Sequence, residues 1–323
     1  MSTASSHLGK GIVVSAGELA AIGQHAAKQN LGARQLSKTF LSGQYASHFR
    51  GRGMDYLETR PYTNGDDIRN IDWRVTARTG KTHSKVYIEE RDRPIMLVAD
   101  FSSSMYFGTR NAFKSVAAAK IASVLAFSGV KRGDRIGCLI KTPTGDFDLR
   151  PKGGRNHTMQ VLQAFSKATH AVETHTENTN SLLDDVLQQA HRSVPTGATV
   201  ILLSDFYPAT NEFHKSLFRL AQRTDIVGFH LFDPMEQTLP LGRSVPLSNG
   251  HKRLRVFTDK ASREDQQSHF NTHSDELRTL FEKLGQTLIH ASTEQDIHSI
   301  FKGRQVIKPP RNTRAATPAR QGQ

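Results

Sequence analysis

From residue 94 onward the chain switches between two hydrophobic periods. Continuous apolar runs, "PIMLVAD", "DRIGCLIK", "ATVILLSDF" and "DIVGFHLFD", predict strands buried on both faces. Stretches with helical spacing separate them. "NAFKSVAAAKIASVLAFS" puts Phe113, Val116, Ala117, Val124 and Leu125 on one face, and "SLLDDVLQQAHRS" does the same with Leu183, Val186, Leu187 and Ala190. "HTMQVLQAFSKA" and "NEFHKSLFRLAQRT" also predict helices. "DELRTLFEKLGQTLIHAST" predicts a helix ending near Gly285 and then a last strand, and "TEQDIHSIFKG" a closing helix with Gly303 after it. Buried strands, each followed by an amphipathic helix, predict an α/β doubly wound domain: a mainly parallel sheet with helices on both faces.

Two segments lie outside this rhythm. Residues 235–258 carry two prolines and the turn signal Asn249-Gly250, which predicts a β-hairpin insertion. Residues 15–30 predict a helix capped by Ser15, with Glu18 three positions on. The expected organisation is a basic N-terminal segment with a helix (1–44), a charged extension packed on the core (45–93), the α/β domain (94–302) and a disordered basic tail (303–323).

With 323 residues and 37% hydrophobic content, the chain is large enough for a sizeable core. It has no apolar run near the roughly 18–20 residues that span a bilayer. "MSTASSHLGKGIVVSAG" lacks the apolar stretch of a secretory signal. The single cysteine, Cys138, excludes an intramolecular disulfide and a cysteine-based metal site. These features lead us to expect a soluble, cytoplasmic protein. The formal charge of +13 raises the alternative of a nucleic-acid or acidic-surface binder. Its distribution argues against that. Residues 1–54 hold six Lys/Arg against one Glu, and 303–323 hold five against no acid, leaving only +3 for 55–302. Basic ends on a balanced body are ordinarily solvated faces, and nucleic acid is the less expected partner.

Candidate chemistry sits where strands end. Ligands of open α/β sheets gather outside the carboxyl ends of the strands. Two strands end on an acid there, at Asp100 and Asp205. Ser102 and Ser104 follow Asp100 at alternate positions, so a loop past the strand can turn both hydroxyls to one point. Such an all-oxygen set suits a hard cation, Mg²⁺ or another divalent ion such as Mn²⁺. Two neutral hydroxyls leave the ion short of anionic ligands, which favours completion by a carboxylate from a partner. The plainer alternative is that Asp and Ser cap the next helix.

"DFSSSM" after a buried strand resembles the first loop of a von Willebrand factor A domain, a family that binds a divalent ion at a metal-ion-dependent adhesion site. The resemblance implies that Asp100, Ser102 and Ser104 form the first metal loop and Asp205 in "LLSDF" the third. For the second loop it points to Ser181 in "NTNSLLDDVL", with Thr179 two residues earlier as the other choice.

Residues 57–93, "LETRPYTNGDDIRNIDWRVTARTGKTHSKVYIEERDR", are dense in both charges and hold the only tryptophan. One reading is an ion-paired extension anchored by Trp73; the other is a partner-binding surface. Arg60, Tyr62, Gly65, Asp66, Asp67, Arg69, Ile71, Asp72, Trp73, Ala77 and Arg78, continued by Lys85 and Glu89-Glu90, resemble the signature of the bacterial family labelled domain of unknown function fifty-eight. The resemblance runs from about residue 45 to 300. It implies a partner among MoxR-type AAA+ ATPases and a role as adaptor or co-chaperone. We expect no enzyme. Ser102 stands where a phosphoryl-transfer aspartate would be, and neither a phosphate loop nor a Gly-x-Ser-x-Gly elbow is present.

Overall fold

The computed structural model describes residues 11–31, 54–63, 66–89, 94–171, 182–248 and 253–302. In chain order, helix α1 (Ala16–Lys28) comes first, followed by β1 (Met54–Pro61), α2 (Trp73–Thr79) and β2 (His83–Glu89). Then come β3 (Ile95–Asp100), α3 (Lys114–Lys131), β4 (Ile136–Thr142), β5 (Gly145–Lys152), α4 (Arg155–Thr169) and α5 (Leu182–Ser193). The chain continues with β6 (Thr199–Ser204), α6 (Asn211–Ala221), β7 (Asp225–Phe232), α7 (Pro234–Gln237), β8 (Arg243–Ser248) and β9 (Arg253–Thr258). It closes with α8 (Lys260–Lys283), β10 (Thr287–Ser292) and α9 (Ile297–Lys302). Contacts divide the chain into two units, residues 43–93 and the remainder.

In the larger unit, six strands form one sheet in the order β10-β7-β6-β3-β4-β5. All neighbours are parallel except the edge pair β4 and β5. Successive side chains of a strand face opposite sides, and β3 uses both. Ile95, Leu97 and Ala99 enter a core with α1, α3, α4 and α9, while Met96 and Val98 enter a second core with α5, α6 and α8. Every residue of β3 and of β6 is buried. This is the mainly parallel, two-faced α/β architecture that the apolar runs predict.

Helix α1 packs with the sheet unit. Its predicted capping box is present, with Glu18 N–H donating to the Ser15 hydroxyl at 3.2 Å and Ser15 N–H to the Glu18 carboxylate at 2.9 Å. The helix lies against α3 because small residues line the contact. A Cβ at Gly23 would come within 2.3 Å of Phe127 Cδ2 and 2.5 Å of Ser123 Oγ. The Ser123 hydroxyl donates to Leu19 O, and Ser128 Oγ donates to Leu31 O at 2.8 Å. On the α4 side, Ser166 Oγ donates to Val14 O at 2.8 Å.

Three elements depart from the expectations. Strand β5 pairs antiparallel along the edge and carries Phe147 and Leu149 between charged residues. Helix α8 begins at Lys260, well before the predicted "DELRTLF", because Asp259 caps it by accepting from Ser262 N–H at 2.7 Å. A single turn, α7, precedes the hairpin of β8 and β9; that hairpin forms as predicted. The predicted basic tail and most of the basic N-terminal segment lie outside the described residues. No described helix is long and apolar enough to cross a membrane.

Candidate functional site

Strands β3 and β6 are parallel neighbours, with Ala99 opposite Leu203, so their carboxyl ends reach the same rim. Asp100 ends β3 and is almost wholly buried, at 1% exposure. After it the chain turns into a short 3-10 segment, Ser103–Tyr106, held by Met105 N–H donating to Ser102 O at 3.0 Å. That turn brings the alternate serines together. Ser102 N–H donates to Asp100 Oδ1 at 3.0 Å, and Ser102 Oγ lies 3.4 Å from Asp100 Oδ2. The Ser102 and Ser104 hydroxyls are 3.0 Å apart, whereas Ser103 is exposed. Ser204, at the end of β6, donates its hydroxyl to Asp100 Oδ2 at 3.2 Å and accepts from Phe206 N–H at 2.8 Å. Phe206 itself is buried in the left-handed region, with φ of 56°. Asp205 is buried beside it and accepts from Tyr207 N–H at 3.1 Å.

Thus Asp100, Ser102, Ser104 and Asp205 are brought to one rim. Ser181 and Thr179 lie outside the described residues. Helix α5, which follows them, reaches the loop after β6 through Thr210 Oγ1, which donates to both Asp184 oxygens at 3.1 and 3.0 Å.

The electrostatics of the rim turn on two carboxylates out of water. Burial first, and then the nearby Asp205 carboxylate, push Asp100 up to about 7, against the hydrogen bonds from Ser204 and Ser102. A buried carboxylate with a second one nearby, and the Ser102 and Ser204 hydroxyls turned toward it, forms an oxygen set to which no described cation bonds on the Asp100 side. A hard divalent ion fits that donor chemistry. Among the described residues, no group of three His, Cys, Asp or Glu side chains could hold a metal. Any ion here would depend on the serine hydroxyls.

Several rim residues carried no signal that the sequence reading used. Lys114, the first residue of α3, is 1% exposed and places its ammonium 2.8 Å from Asp205 Oδ2 and 2.5 Å from Glu236 Oε1. Burial works to lower the Lys114 proton affinity, but the two carboxylates outweigh it and hold it raised. Glu236 belongs to α7, where its other oxygen accepts from Asp233 N–H at 2.8 Å. Asp233 in turn ties α7 to the rim. It accepts from Thr109 N–H at 2.9 Å, from Thr109 Oγ1 at 2.6 Å and from Thr293 Oγ1 at 2.8 Å. His273 Nε2 lies 3.0 Å from Asp205 O. Behind it, His230 Nδ1 and His290 Nδ1 lie 2.9 Å apart, with His230 among Phe206, Phe232 and Phe270. Burial above all, then His290, His273 and Lys114, holds His230 well below the ordinary imidazole value.

The smaller unit places the other predicted residues. Strands β1 and β2 pair antiparallel, and most of the signature acids serve the backbone between them. Asp66 accepts from Arg60 at 2.6 Å and from Thr63 N–H at 3.0 Å, while the Tyr62 hydroxyl donates to Asp66 O at 3.2 Å. Asp67 caps the 3-10 turn Ile68–Asn70 by accepting from Arg69 N–H at 3.0 Å. Asp72 caps α2, accepting from Arg74 and Val75 N–H at 3.1 and 3.2 Å, with Lys85 4.0 Å away. Gly65 lies outside the described residues. Trp73 is 68% exposed, and Arg69, Arg74 and Arg78 are exposed as well.

The profile of the family described as "Protein of unknown function DUF58" matches residues 58–286. Three mycobacterial proteins align over 258 residues at 27% identity, covering 79% of this chain and 80% of their own. They are "Uncharacterized protein Mb1516" of Mycobacterium bovis and "Uncharacterized protein MT1527" and "Uncharacterized protein Rv1480" of two Mycobacterium tuberculosis strains. Among solved structures, the chain is similar to the conserved hypothetical protein BatB from Bacteroides thetaiotaomicron. That match has 12% identity and a TM-score of 0.37, covering 59% of this chain and 98% of the other. A von Willebrand factor type A structure from Catenulispora acidiphila matches at 13% identity with a TM-score of 0.32, covering 68% of this chain and 42% of the other.

Proposed function

Because the chain belongs to the DUF58 family, we propose a role for it from the geometry of the rim: a cytoplasmic, non-enzymatic protein-interaction module whose binding depends on a divalent cation. The observation that carries this reading is the chain of oxygens running from the buried Asp100 carboxylate to the Ser102 hydroxyl, 3.4 Å from it, and on to the Ser104 hydroxyl, 3.0 Å from Ser102 Oγ. Asp100, Ser102 and Ser104 would hold Mg²⁺ or Mn²⁺, with Asp205 close by, just past the end of the neighbouring strand. When bound, the ion supplies a hard Lewis acid able to accept one more oxygen ligand. The chain's own part is to aim that position. Ser204 fixes Asp100 from the neighbouring strand, the 3-10 turn presents the two hydroxyls, and the buried walls exclude water. A Glu or Asp of a partner protein is the ligand that such a site selects. The fold is of a kind consistent with protein interaction, and the signature resemblance implies a MoxR-type AAA+ ATPase as that partner, with the chain as adaptor or co-chaperone.

The test is a Mn²⁺ titration of wild type and Asp100→Ala by calorimetry. Loss of binding in the variant, with unchanged circular dichroism, supports the site; binding of equal strength in the variant removes it. Co-purification with the AAA+ ATPase, run with and without chelator, then tests the partner. Capture that ignores chelator refutes metal-dependent docking.

A further inference from the structure

The position of Lys114 has no local reason. It opens α3, where the positive end of the helix dipole disfavours a cation, and it is buried at 1% exposure. Apolar residues of similar volume often replace a buried ion pair without loss of stability, so stability alone does not explain it. What holds the ammonium is the pair Asp205 and Glu236, at 2.8 and 2.5 Å. Neither carboxylate can easily move away. Asp205 is clasped by Tyr207 N–H, and Glu236 is fixed by its bond to Asp233 N–H and by Gln266 donating to Glu236 O at 2.8 Å.

We propose that Lys114 is a resident counter-cation of the candidate ion site, competing with the divalent ion for Asp205 and keeping its affinity low. The inference rests on the cation reading of the rim and deepens it. With Asp205 Oδ2 occupied by an ammonium, the ion meets one committed carboxylate, Asp100, and two hydroxyls. Any approach to Asp205 brings two positive centres together in a place that water does not screen. Lys114 is a positioning residue: it acts through Asp205. A site built this way loads weakly alone and tightens when a partner's carboxylate adds negative charge, so ion and partner bind together.

The charge bookkeeping gives the test. Asp100, Asp205, Glu236 and Lys114 together carry two net negative charges above pH 7. The double variant Lys114→Met/Glu236→Gln carries the same net charge but frees Asp205. Mn²⁺ affinity is read at pH 8 by calorimetry, with circular dichroism as the fold check. The double variant is expected to bind about tenfold tighter than wild type or better, and Glu236→Gln alone to bind more weakly. Lys114→Gln/Glu236→Gln, which keeps a neutral donor against Asp205, gives the same comparison if the methionine form does not fold. Binding in the double variant where wild type shows none also supports the competition. Equal affinity in wild type and double variant overturns the role of Lys114 and leaves the cation site standing. Absence of Mn²⁺ binding in every form overturns both.

Discussion

Asp100 offers the most direct test of the rim's electrostatics. The ordinary carboxyl value of 3.8 rises to about 7 in the folded, ion-free protein, through burial first and the Asp205 carboxylate second. At about 1.36 kcal/mol per tenfold change in proton affinity, holding the ionised form there costs about 4 kcal/mol. Because the folded value lies above the unfolded one, the native state binds the extra proton. Stability is therefore fullest below 3.8 and falls as pH climbs toward 7, then levels off. Asp100→Asn removes the charge but keeps a side chain able to bond with Ser102 and Ser204. The variant forfeits some bond energy at every pH, so the informative quantity is the difference from wild type as pH changes. Urea unfolding with chelator should show the variant gaining about 3 kcal/mol on wild type between pH 4.5 and pH 8. Saturating Mg²⁺ at pH 8 should restore wild type and leave the variant unchanged. A stability difference that stays flat with pH would refute the buried, repelled carboxylate. A Mg²⁺ effect equal in both proteins would refute the ion's place beside it.

Trp73→Ala should change stability by less than about 0.5 kcal/mol in urea unfolding, since the ring is exposed; a loss of several kcal/mol would mean that it is covered. Gly23→Ala should destabilise by about 1–3 kcal/mol despite alanine's better helix propensity, because the new Cβ meets Phe127 and Ser123; a raised melting temperature would contradict that contact. Asp72→Ala should lose about 1 kcal/mol through the α2 cap, read from the urea midpoint. His230 sits with its proton affinity held well below the ordinary value of 6.5, facing His290, His273 and Lys114. Its contribution is present above 6.5 and lost as pH falls below it, by about 1.4 kcal/mol per pH unit, and His230→Phe should flatten that acid limb in urea unfolding.

The sheet was legible because its strands are buried on both faces and so appear as unbroken apolar runs. Where burial is one-sided, the pattern thins. Strand β5 sits on the edge, and its Phe147 and Leu149 alternate with Asp146, Asp148 and Arg150, too short a signal to separate from a loop. The first half of α8, "KASREDQQSHFNTH", buries no residue fully, so it has no apolar stripe to read; the fully buried residues, Leu277 and Phe281, come in the second half. Helix α1 was legible as a helix, from its capping box. Its partner was not, because small residues such as Gly23 and Ala26 mark a close approach without saying to what.

The site divides along the same line. Asp100, Ser102, Ser104 and Asp205 were readable because strand ends in a parallel sheet share a rim, so local pattern alone places them together. The charged block before the sheet was readable as a set of residues but not as roles: Asp66, Asp67 and Asp72 bond the backbone within a few positions, and a cap looks the same as a ligand when only its residue type is known. Lys114 and Glu236 were not readable at all. They lie 122 positions apart, one at a helix head and one in a turn inside an insertion, and only the folded chain makes them neighbours. Yet they decide how much of Asp205 is free. The local motif gathers oxygen atoms at the rim, and the long-range ammonium occupies one oxygen of Asp205.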